Sequence, residues 1–120
     1  MYDEKDLGKD LESGKNTIII EGDLAKKVFK IKATGPVAWG ICIAAIAIAV
    51  AMILAGTVTG GVSAVAAAPV MAAPMTLLGA GVATSAVAIA VAAGNVNVLN
   101  KLRDYDLEKI SDTKVILHKK

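Results

Sequence analysis

Residues 37–56 read VAWGICIAAIAIAVAMILAG, and they lie inside a longer stretch, Ala33–Asn100, that carries no charge between Lys32 and Lys101. Solvated helix faces need charges, so an uncharged run of this length points to a membrane. A helix over Val37–Gly56 rises about 30 Å, the thickness of a bilayer's hydrocarbon core. Gly35-Pro36 marks its entry, where the missing proline N–H costs nothing. Trp39 sits one turn inside, at the depth where indoles collect.

A second span is expected over Met75–Gly94, opened by Pro74 and closed by Gly94-Asn95. It is rich in Ala and Val, so it inserts less readily than the first and gains from a partner helix. The connector, residues 57–74, is uncharged but broken by Gly60-Gly61, Pro69 and Pro74. A turn with a short interfacial or re-entrant helix over Val62–Ala68 fits it better than a third span. The expected fold is therefore an α-helical membrane protein, a two-span transmembrane helical hairpin with short β-rich cytoplasmic flanks.

Within the spans, small residues recur on one face. Gly40, Ala44, Ala47, Ala51 and Ala55 line the first, and Gly79, Ala83, Ala86, Ala90 and Ala93 line the second. Gly56 and Gly60 add a GxxxG at the end of the first helix. Lipid is as apolar as leucine, so helices in a bilayer associate through close packing, which Gly and Ala permit. These seams are the expected helix-packing and homo-oligomer interface, beside a bulky seam of Trp39, Ile43, Ile46, Val50 and Ile53.

All charges fall in the flanks. Residues 1–32 carry seven of each sign, and residues 101–120 carry six positive and four negative. Both flanks place Lys or Arg beside the spans and the connector carries none, so the positive-inside rule puts both termini in the cytoplasm. Trp39, Lys30, Lys32, Lys101 and Arg103 are the expected membrane-interface residues. Residues 1–16 read as a mobile charged tail or a marginal helix, because Leu7 and Leu11, at i and i+4, make only a small apolar face. Thr17–Glu21 is β-branched and Gly22-Asp23 is a hairpin signal, which suggests a β-hairpin over 17–33. The competing reading makes Asp23 the N-cap of a helix through Lys27. In the carboxyl-terminal flank, residues 95–120, Lys114–His118 reads as a strand able to pair with 17–33.

The balanced flanks lack the basic stripe that nucleic acid requires. Cys42, the single cysteine, reads as a small buried hydrophobe, and His118, the single histidine, has no visible metal or catalytic partners. No phosphate loop, metal spacing or nucleophile set is present, so no cofactor and no enzymatic activity are expected. The spans lack the ionisable groups that carriers and proton relays use. In size, hairpin layout and small-residue content the chain resembles holin-like, bacteriocin-like and toxin-like proteins. That resemblance implies a membrane-active homo-oligomer forming a ring or pore. The alternative is a membrane anchor or scaffold subunit that binds a protein partner through its β-rich flanks.

Overall fold

The computed structural model describes residues 3–56 and 71–119. Helix α1, Glu4–Ser13, begins in a capping box. The Asp6 amide donates to the Asp3 carboxylate at 3.0 Å and the Asp3 amide to the Asp6 carboxylate at 3.2 Å. It ends at Gly14, whose φ of 74° lets the chain turn back on the last carbonyls. Of the two readings for this segment, a mobile tail or a marginal helix, the chain forms the helix. Leu7, Gly8 and Leu11 form its buried stripe.

Strand β1, Thr17–Glu21, comes next, with Ile18 and Ile20 facing inward. Gly22 then turns the chain directly into helix α2, Asp23–Ala33. The β-hairpin over 17–33 is therefore corrected to a strand and a helix. Leu24, Ala25, Val28 and Ile31 recur at helical spacing and are buried together on α2, a stripe that strand alternation would split between two faces.

Helix α3, Pro36–Leu54, has proline in its first turn. It is the one helix among the described residues long and apolar enough by itself to cross a membrane. The two-span hairpin is overturned at its second member. Residues 75–94 do not form one helix: α4, Ala72–Leu78, and α5, Ala80–Ala93, meet at a bend of 117°. Gly79 occupies the joint at φ 92° and ψ 152°, a conformation open essentially to glycine alone. The helix expected over Val62–Ala68 and Gly60 of the GxxxG lie outside the described residues.

Gly94 caps α5 with φ 82°, and helix α6, Asn97–Asp104, buries Val98, Leu99 and Leu102. Strands β2, Asp106–Ser111, and β3, Lys114–His118, complete a three-stranded antiparallel sheet in the order β1-β3-β2. Ile18 opposes Leu117 and Ile20 opposes Val115. These four side chains make the inner face of the sheet, against which α2 packs.

The result is a compact α/β globule with six helices and one sheet among its described residues. Helix α5 is its centre: α1, α2, α3, α4 and α6 all pack against it. Its Ala83, Ala86, Val87, Ile89 and Ala90 have no exposed surface. The apolar character that suggested lipid around α5 is satisfied by protein. Helix α1 approaches α5 closely at Gly8, where a Cβ would lie 2.4 Å from the Ile89 carbonyl oxygen and 3.0 Å from the Ala92 Cβ. Charged α1 therefore lies directly along α5, an arrangement that hydrocarbon around α5 would not tolerate.

Candidate functional site

Two features of α3 stand out against this packing: a bare outer side and a polar lock at its base. Cys42, Ile46, Ala49 and Val50 turn inward and are buried. The opposite side exposes Val37 (80 %), Ile41 (51 %) and Ile48 (54 %), and Leu54 (51 %) is exposed at the last position of the helix. Gly40, Ala44 and Ala51 are exposed on the same helix, as is Ala55 at its C-cap, and Ala47 is half-buried. Only 28 % of the most apolar eighteen-residue window of α3 is buried. A helix hydrophobic all round requires an apolar environment on every side.

The small residues thus divide. Those of α3 face outward, with open space around the Cβ position of Gly40. Those of α5, Ala83, Ala86 and Ala90, are consumed inside the chain, with Ala93 half-buried beside them. Gly79 forms the joint before α5, and Gly56, at φ 72°, lies just past α3. The structure does not bring the two seams together as one external interface.

The lock joins α2, α3 and α6. The last carbonyls of a helix lack intrahelical donors and carry the negative end of its dipole. Arg103, near the end of α6, donates from one guanidinium nitrogen to the carbonyls of Ile31 (2.7 Å) and Thr34 (2.8 Å), which end α2. Lys32, near the end of α2, donates in return to the carbonyls of Arg103 (2.6 Å) and Tyr105. Each helix supplies the cation that caps the other. Arg103 also lies 4.8 Å from the centre of the Trp39 ring, a cation–π contact. The Trp39 Nε1–H donates to Asn100 Oδ1 at 3.0 Å, which pins the base of α3 to α6. The Tyr105 hydroxyl donates to the Lys15 carbonyl at 2.5 Å and ties α6 to the segment before β1.

Three of the expected interface residues therefore serve inside the fold: Trp39 is buried, and Lys32 and Arg103 are half-buried caps. Lys30 and Lys101 remain exposed. Lys101 lines a cleft of about 450 Å³ between α1 and α6 with Leu11, Gly14, Asp104, Tyr105 and Lys119. The sequence alone does not reveal the roles of Gly8, Asn100 and Tyr105. The partners of Asn100 and Tyr105 lie 61 and 90 residues away, so no local pattern marks them.

Charge position fixes which side of the molecule is apolar. Glu4 of α1 and Lys27 of α2 line a cleft of about 380 Å³ with Ala80, Gly81, Thr84, Ser85 and Ala88 of α5. Charges thus accompany α5 from its first turn, where Lys27 approaches Gly81, to its end, where the Asn95 amide donates to Glu12 at 3.3 Å. The sheet bears a surface ion pair, Lys114–Glu21 at 3.7 Å, and a hydrogen bond between His118 Nε2 and the Glu108 carboxylate at 3.0 Å. Helix α3 carries no charged residue at all.

The chain belongs to the family described as "Uncharacterised protein PM1101", whose model matches residues 2–120. No curated protein and no solved structure matches it.

Proposed function

We propose that the protein is a non-catalytic, self-assembling membrane subunit held in the bilayer by the outer side of α3. The observation that carries this reading is the exposure of Val37, Ile41, Ile48 and Leu54 on a nineteen-residue helix without a charge. An uncompensated apolar side of this extent marks a surface made for lipid or for a partner.

The charges that flank α5 favour a particular orientation. Were α3 to stand across the membrane, Glu4 and Lys27 would accompany α5 into hydrocarbon, at about 2.5–3.5 kcal/mol for each charge near the centre. Helix α3 lying along the membrane, sunk to a depth of about 5–10 Å, leaves α1, α2, α6 and the sheet in water. Gly40, Ala44 and Ala51 on that side allow the α3 helices of neighbouring copies to approach closely. The same helix has no hydroxyl or amide side chain to replace the hydration of an ion. Anchoring and assembly therefore suit it better than conduction.

Flotation with phospholipid vesicles tests the reading. The wild-type protein should rise with the vesicles, and Ile41→Asp combined with Ile48→Asp should leave it at the bottom of the gradient. A detergent-free wild-type protein that stays soluble and ignores vesicles would overturn the proposal.

A further inference from the structure

The two edges of the sheet differ in a way that bears on assembly. Strand β2 is an edge of the protected kind: its register with β3 is irregular between Lys109 and Ser111, and it bears Asp106, Glu108 and Lys109. Strand β1 has no such irregularity, and its single charge, Glu21, lies at its end. It pairs with β3 without interruption and contains no proline and no lysine.

The register shows which β1 groups remain to be paired. The Gly22 amide donates to the Thr113 carbonyl at 2.7 Å, and the Lys119 amide to the Asn16 carbonyl at 2.8 Å. These bonds fix the phase of the antiparallel ladder, so Ile18 and Ile20 also bond to β3. The backbone groups of Thr17, Ile19 and Glu21 then point along the sheet toward the open edge, where among the described residues no strand pairs with them. Ile19, at the middle of this edge, is 50 % exposed.

We propose that β1 pairs antiparallel, edge to edge, with β1 of a second copy of this chain, about a two-fold axis through Ile19. The sequence is complementary to itself in that register. Ile19 meets Ile19, Thr17 meets Glu21, and Lys15 approaches Asp23, so no like charges are opposed. The three outward residues on each strand fall into hydrogen-bonded pairs, each exchanging two N–H···O=C bonds. The joined sheet has six strands and ends at the two protected β2 edges, which closes the contact at a dimer. A two-fold perpendicular to the sheet leaves the helices of both copies on the same side. Two copies held in one bilayer meet that requirement, although the strand contact itself does not depend on the membrane reading.

Cysteine cross-linking of the full chain in mild detergent, in a Cys42→Ala background, tests the register. Ile19→Cys should form a disulfide-linked dimer on mild oxidation, while Ile110→Cys, equally exposed on β2, should not. Thr17→Cys mixed with Glu21→Cys should cross-link as a pair, and Thr17→Cys alone should remain single. Ile19→Lys should halve the particle mass by placing two cations across the axis. An unlinked Ile19→Cys, equal cross-linking through Ile110→Cys, or self-linking of Thr17→Cys would each overturn the proposal. Flotation reads the α3 proposal separately, because no substitution here touches the outer side of α3.

Discussion

Gly8→Ala discriminates sharply between a charged tail and a helix seated on α5. On a solvated helix, alanine in place of glycine stabilises by about 1 kcal/mol. At this position the new Cβ would meet a backbone oxygen at 2.4 Å, closer than any real Cβ contact. The Ile89 carbonyl belongs to the central helix and cannot rotate aside, so α1 must shift outward by roughly 1 Å. Gaps of that size forfeit about a quarter to a half of the dispersion attraction across them. Leu7 and Leu11, both without exposed surface, lose part of their packing in the same movement. Overpacking of this kind costs about 1–3 kcal/mol and at times more. A cost near the upper end less the propensity gain leaves a loss of about 2 kcal/mol. Thermal unfolding monitored by far-ultraviolet circular dichroism should show a midpoint lower by roughly 5–10 °C. Lys9→Ala, on the exposed side of α1, should change stability by no more than about 0.5 kcal/mol. A Gly8→Ala protein more stable than the wild type would refute the docking of α1.

The joint, the lock and the buried phenol each carry a further expected outcome. Gly79→Ala forces a side chain into a left-handed, extended conformation and should destabilise by about 1–3 kcal/mol in denaturant titration; stabilisation would point to a straight helix instead. Arg103→Gln removes the cation from the Ile31 and Thr34 carbonyls and from Trp39, and should cost about 2 kcal/mol. The emission of Trp39, the single tryptophan, should shift with it, and an unchanged spectrum and stability would remove the lock from the account. Burial, aided by the Asp10 charge, raises the Tyr105 phenol above its ordinary value of 10.0. The folded state then favours the neutral form, so stability is complete below about pH 10 and declines as pH rises through the raised value. Tyr105→Phe should flatten that alkaline decline, and identical alkaline profiles for the two proteins would contradict the assignment.

What could be read from the sequence was local. Thr17–Glu21 and Lys114–His118 are β-branched runs and both are strands; Gly35-Pro36 opens α3 where its proline belongs. The docking of helix α1 was hidden because the helix's apolar face consists of two leucines and a glycine, and its partner is a helix some eighty residues later. Hydropathy misled at α5 for a related reason. A run of Ala, Val and Ile without charge suits the centre of a protein as well as a bilayer. Only the charged helix beside it, placed there through Gly8, tells the two apart. The break at Gly79 was equally hidden, since Gly79 and Gly81 look alike in sequence and only one carries the bend. The lock was partly visible, as cations flanking Trp39 in an expected membrane belt. Their role as reciprocal helix caps depends on bringing together the ends of α2 and α6, 72 residues apart.

Where the outer side of α3 resides decides the functional reading, and spin labels report on it at the residues concerned. Ile41→Cys, Ile48→Cys and Leu54→Cys, each labelled in a Cys42→Ala background in vesicles, should collide with oxygen more than with an aqueous nickel chelate. All three should lie at similar, shallow depth, because α3 rests along the membrane. A graded change over the roughly 20 Å of helix between positions 41 and 54 would replace that orientation with a spanning one. Free access of the nickel chelate to all three labels would contradict the membrane account itself.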